Sequence, residues 1–229
     1  MESRRILSHP RSAFTLVELL VVIAILGLLA SLLFPVFNRA KASALSTVCQ
    51  NNFRQLGLAA GLYSVDTGRL PVMLDWLYAR TATIKPSLPD LTSGQLFPYI
   101  GSRSTYLCPT EKPGRGSVAQ KESERLPNDH SYVMNCMMCH VRDTSACLTP
   151  SKSLFFLERT NVTNDTRGGL MADRPRSHAF QLDFPHRKRA HLLMLDTHIE
   201  SLNESQYHDV ASTREFWYPN GVSGYWGTP

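Results

Sequence analysis

The stretch Phe14-Thr15-Leu16-Val17-Glu18-Leu19-Leu20-Val21-Val22-Ile23-Ala24-Ile25-Leu26-Gly27-Leu28-Leu29-Ala30-Ser31-Leu32-Leu33-Phe34-Pro35-Val36-Phe37 carries one ionisable side chain, Glu18. As a helix rising about 1.5 Å per residue it is about 36 Å long, enough to cross a hydrocarbon core of roughly 30 Å. It is apolar on every face, which suits lipid better than the interior of a small globular domain. A cleavable secretory signal has a shorter apolar run, with its small residues after that run. Here Ser12 and Ala13 precede it. Arg4, Arg5 and Arg11 lie on the N-terminal side, so the positive-inside bias places the N-terminus in the cytoplasm and the chain after Phe37 outside. The expected organisation is a leader at 1–13, a single transmembrane helix at 14–37, an amphipathic continuation at 38–66 and an extracytoplasmic domain at 67–229. The expected location is the cytoplasmic (inner) membrane.

Glu18 is the anomaly in this stretch. An acidic group inside an apolar helix costs on the order of 3 kcal/mol on insertion scales, so it is expected to have a partner and a role. The plainer reading is a carboxylate solvated at headgroup depth, since Glu18 lies close to the start of the helix.

Ser12-Ala13-Phe14-Thr15-Leu16-Val17-Glu18-Leu19-Leu20 resembles the cleavage and methylation signature of type IV prepilins and type II secretion pseudopilins. The resemblance implies that a membrane prepilin peptidase cuts between Ala13 and Phe14 and methylates the new N-terminus, with Glu18 serving assembly. Ala13 stands where that family usually has glycine. Pro35 falls where it often has a helix-kinking proline, which removes one backbone hydrogen bond. The implied partners are the peptidase, other pilin or pseudopilin subunits in a filament, and the cytoplasmic membrane.

After Phe37 the pattern becomes amphipathic. Ala44, Leu45, Val48, Cys49, Phe53, Leu56, Ala59, Ala60 and Tyr63 recur at spacings of three and four, the signature of one helical face. Gly68 and Pro71 should end the helix, and Gly57 and Gly61 weaken its last turns. The segments around Cys49-Gln50-Asn51-Asn52, Tyr106-Leu107-Cys108-Pro109, and Ser131-Tyr132-Val133-Met134-Asn135 are similar to those of a large pseudopilin-like family. One branch of it carries a His-x9-Asp-Gly motif, matched by His186 and Asp196 with Thr197 in place of the glycine. Strands are predicted over 153–158 and 190–195, the second turning at Asp196-Thr197 into 198–202. The fold class is then α+β, a long helix laid on a small antiparallel sheet with extensive loops.

The 229-residue chain has a net charge of +5, but its basic residues are scattered, so nucleic acid is not an expected partner. Five cysteines in an oxidising compartment allow two disulfides. The preferred pair is Cys49 with Cys108; a second would join Cys136 or Cys139 to Cys147, although spacing alone does not fix connectivity. Cys136-Met137-Met138-Cys139-His140 also matches a c-type haem attachment string, which defines the alternative function, a membrane-anchored redox or binding protein. Cys136, Cys139, His140 and Cys147 are a conceivable zinc set by ligand type. His186, His191, His198 and Asp196 suggest a cluster, yet His191 and Asp196 fall on opposite faces of a strand. No nucleophile–base pattern stands out, so neither an enzyme nor a bound cofactor or metal is expected.

Overall fold

The computed structural model describes residues 15–72, 75–78, 90–110, 130–135, 137–138, 147–158, 169–170, 182 and 184–219. The chain divides into two compact units, Met1–Lys41 and Ala42–Pro229. One helix, α1 (Leu16–Thr67), contributes to both and contains Pro35 in its interior. In the first unit its side chains are exposed on every face. α1 is long and apolar enough to cross a membrane, and its most apolar window is not buried against the protein.

In the second unit α1 buries Cys49, Asn52, Phe53, Leu56, Gly57, Ala59, Ala60 and Tyr63, the three-and-four spacing that puts side chains on one face. Gly57 earns its place there: a Cβ would stand 3.3 Å from Leu193 Cδ2, so the glycine permits a close approach to the sheet. Gly61 has open space around it. The helix ends at Gly68, whose φ of 69° is open to glycine at little cost, and whose N–H donates to the Ser64 carbonyl at 2.9 Å.

Among the described residues the sheet has five strands: β1 (Tyr132–Asn135), β2 (Leu154–Glu158), β3 (Gly169–Leu170), β4 (Arg189–Met194) and β5 (Ile199–Asn203), in the order β3-β1-β2-β4-β5. β1, β2, β4 and β5 form the antiparallel sheet expected from the sequence. The short β3 adds a parallel pair beside β1 at one edge.

One sheet face packs against α1 through Tyr132, Met134, Phe156 and Leu193. The other buries Val133, Leu157, Ala190, Leu192 and Met194 under Tyr207, Phe216 and Trp217. Those aromatic residues come from α2 (Glu204–Ala211) and the short helix α3 (Arg214–Trp217). The aromatic tail is thus the second cover of the sheet. An Asn203–Gln206 capping box starts α2, and Trp217 Nε1 donates to the Ala211 carbonyl at 2.7 Å.

The β4–β5 hairpin turns without the glycine of the Asp-Gly pattern. Thr197 takes φ 73°, and its N–H donates to the Met194 carbonyl at 2.9 Å. A left-handed conformation costs a non-glycine residue about 1–2 kcal/mol. Thr197→Gly should therefore raise the unfolding free energy by about 0.5–1 kcal/mol after the added freedom of the unfolded chain is set against it. Urea unfolding checks this: the midpoint should rise with the slope unchanged, and a lower midpoint would show that the added freedom of the unfolded chain outweighs the relief of backbone strain.

Candidate functional site

Two regions carry the chemistry, one in each unit. At the start of α1, Thr15 and Glu18 form a reciprocal cap. The Thr15 hydroxyl accepts from the Glu18 N–H at 3.3 Å, and the Glu18 carboxylate accepts from the Thr15 N–H at 2.9 Å and its hydroxyl at 2.7 Å. This is a capping box, which satisfies backbone donors that a helix start leaves open. The sequence reading missed it, although Thr-x-x-Glu before an apolar run is its visible signature.

From Leu16 to Phe37, sixteen large apolar side chains are exposed, by 45% to 78%. At about 0.3–0.6 kcal/mol each on insertion scales, they favour a bilayer by ~5–10 kcal/mol, more than the ~3 kcal/mol opposing it from one carboxylate. Pro35 lies inside this run and leaves the carbonyl four residues before it without its helical donor. Ala13 and Phe14 lie outside the described residues, as do Cys136, Cys139 and His140 with the haem and zinc readings built on them.

In the second unit the structure joins Cys49 of α1 to Cys108 by a disulfide, with Cα atoms 5.3 Å apart. Beside it lies a buried polar cluster that takes in His186 and His191 from the expected histidine set, together with Glu158, which the sequence did not single out. Glu158, the last residue of β2, is 2% exposed and His186 is 4% exposed. His186 Nε2 is 2.6 Å from Glu158 Oε1 and 3.5 Å from Cys108 Sγ. The other carboxylate oxygen accepts from the His191 N–H at 3.0 Å, and the His186 and His191 rings stack with centroids 4.4 Å apart. Ser46 Oγ lies 2.8 Å from His191 Nε2. Burial, aided by His186 and Arg189, pushes the His191 imidazole down to about 4, so it is neutral at pH 7. A buried carboxylate is tolerated only when paired and hydrogen-bonded, as Glu158 is here.

Local backbone strain sets His186 in place. Arg187 and Lys188 take φ values of 55° and 64°. His186 and Arg189 exchange backbone hydrogen bonds of 3.0 and 3.1 Å across them. Two successive positive φ angles make this a type I′ geometry, ordinarily built from Asn and Gly. Arg and Lys there hold an unfavourable turn, and the first residue of that turn is buried in the cluster.

Cys49 and Cys108 Sγ, a Glu158 oxygen and a His186 nitrogen all lie within 4.8 Å of one another. Cys108 and Glu158 both meet the same nitrogen of His186. A nucleophile–base–orienter relay needs them on opposite nitrogens.

Cys147, expected in a second disulfide, is instead a buried free thiol. Its sulfur donates to the Pro219 carbonyl at 3.3 Å, held there by core packing. Asp196 and His198 are outside the cluster, in an exposed turn where His198 Nδ1 lies 2.5 Å from Asp196 Oδ1. The structure thus brings together Cys49, Cys108 and His186, and leaves Asp196 and His198 apart from them.

Residues 9–34 match the family described as the prokaryotic N-terminal methylation motif. The chain therefore carries the prepilin-type signature, continuous with a long apolar helix. No curated protein and no solved structure matches it.

The disulfide closes a loop with a sequence separation of 59, for which chain entropy gives about 4 kcal/mol of stabilisation. Cys49→Ser/Cys108→Ser, in chelator-treated buffer, should lose about 2–4 kcal/mol of the second unit's stability by denaturant titration. A loss below about 1 kcal/mol would mean that the cross-link restrains little that the fold does not already restrain.

Proposed function

We propose that the chain is a structural subunit of a type IV pilus-like or type II secretion pseudopilus filament, without catalytic activity of its own. Prepilin peptidase would mature it between Ala13 and Phe14 and methylate Phe14. The observation that carries this reading is the methylation motif over residues 9–34 running directly into α1. An anchor with no further task needs apolar length alone; it does not need Phe-Thr-Leu-x-Glu at the entrance. The mature subunit would wait in the cytoplasmic membrane with its larger unit outside, and assembly would collect its apolar helix among those of neighbouring subunits.

Within such a bundle Glu18 would neutralise the Phe14 ammonium of an adjacent subunit. Two charges that are costly alone then offset each other only when subunits are in register. Glu18 also caps its own helix, so charge and cap must be separated experimentally. Glutamine fills the same place in a capping box. Glu18→Gln therefore keeps the helix start and removes only the charge, whereas Thr15→Ala loses the hydroxyl half of the cap and keeps the charge.

The test is the yield of sheared or cross-linked filament, normalised to mature subunit in the membrane. Glu18→Gln should lower it about tenfold or more, since one partner of a buried pair is left behind. Thr15→Ala should stay within about twofold, since a lost cap costs about 1 kcal/mol in a helix already held by lipid. Wild-type assembly by Glu18→Gln would reduce Glu18 to a helix cap and refute the pairing.

A further inference from the structure

We propose that Cys49, Cys108, His186 and Glu158 form a zinc-class metal site in the dithiol form of the chain, so that the same four residues support two alternative cross-links, a metal ion or the Cys49–Cys108 disulfide. The four donor atoms come from α1, the segment after the turn at Tyr106, the end of β2 and the strained turn before β4, and lie within 4.8 Å of one another. All four residues are buried. Two thiolates, one imidazole and one carboxylate are a donor set suited to tetrahedral zinc.

The distances fit a site that small side-chain adjustments would close. Zn–S near 2.3 Å and Zn–N near 2.0 Å put the S···N edge of a tetrahedron at about 3.6 Å. The observed Cys108 Sγ to His186 Nε2 distance is 3.5 Å. The His186–Glu158 edge, now 2.6 Å, would open to about 3.3 Å, and the sulfurs would separate to about 3.8 Å once the disulfide is reduced. Glu158 is already oriented for the task, because its second oxygen is held by the His191 N–H at 3.0 Å. Such an outer hydrogen bond is what fixes a metal-binding carboxylate.

One further observation favours a ligand role for His186 over a plain buried ion pair. The turn carrying it holds Arg187 and Lys188 at positive φ, a strain that favours a residue whose position matters.

Metal uptake involves no electron transfer. The ion enters, each cysteine thiol releases one proton to water, the proton between His186 Nε2 and Glu158 leaves with them, and His186 binds through Nε2 with its remaining proton on Nδ1. The site then carries +2 from the metal against three anionic ligands, leaving one negative charge. Reaching the dithiol from the disulfide takes two electrons. A water-soluble phosphine supplies them as it becomes the phosphine oxide with an oxygen from water, and both sulfurs end as thiols.

The experiment uses the full chain in detergent, reduced with the phosphine, freed of metal and titrated with Co²⁺ and then Zn²⁺. The expected result is one equivalent of Co²⁺ with tetrahedral visible bands and thiolate charge transfer, displaced by Zn²⁺. Uptake should persist in Cys136→Ser/Cys139→Ser/Cys147→Ser and be absent from the oxidised chain. His186→Asn and Glu158→Gln should each weaken it by at least about tenfold. Zn²⁺ should also raise the denaturation midpoint of the reduced chain, through binding to the folded state alone. The proposal is overturned if the reduced chain takes up no Co²⁺, if uptake is lost with Cys136, Cys139 and Cys147, or if His186→Asn and Glu158→Gln both bind as wild type does.

Discussion

The seating of the second half of α1 on one face of the sheet is the interaction on which the second unit depends. Phe53 packs against Tyr132 with ring centroids 4.6 Å apart, and Leu56 and Ala60 are fully buried beside them. Gly57 allows α1 to lie close above Leu193. Asn52 adds a polar tie, donating to the Leu107 carbonyl at 2.8 Å and lying 3.2 Å from the Tyr132 hydroxyl. The disulfide closes on that same helical face at Cys49. Remove this seating and the sheet loses one of its two apolar covers, since the other comes from Tyr207, Phe216 and Trp217.

α1 thus answers to two solvents. Its first half bonds its backbone within the helix except where Pro35 removes one donor, and shows apolar side chains on every face, as a hydrocarbon phase requires. Its second half keeps a single apolar face for the sheet. The Thr15–Glu18 cap gives the acidic residue a local role at the helix start, independent of any neighbouring subunit. β4 lies between two turns held at positive φ, Arg187-Lys188 before it and Thr197 after it. The His-x9-Asp spacing therefore marks the two ends of one strand, with His186 turned into the core and Asp196 out to solvent.

Much of this was legible in the sequence because it rests on local periodicity. The uniform apolar run gave the first half of α1, and the spacing from Cys49 to Tyr63 gave its buried face. Gly68 marked the end of the helix, and two apolar runs with the turn at Asp196-Thr197 located β2, β4 and β5. What local pattern does not encode is which distant residues meet. Glu158 ends an otherwise apolar strand, and that mismatch was the available signal, but its partner His186 lies 28 residues away in sequence. The parallel pairing of β3 with β1 is likewise a matter of tertiary placement. Cys147 was misread because oxidising conditions suggest pairing, whereas its thiol is accommodated by the core and the Pro219 carbonyl. Gly57, expected to weaken the helix, instead lets it lie close to Leu193 of the sheet.

The central claim is that the chain is processed at Ala13–Phe14 into a membrane subunit. It is tested most directly by the intact mass of the protein purified from membranes of cells with an active prepilin peptidase. The account predicts the mass of residues 14–229 plus one methyl group, less two hydrogens for the disulfide. A mass retaining residues 1–13 would contradict it.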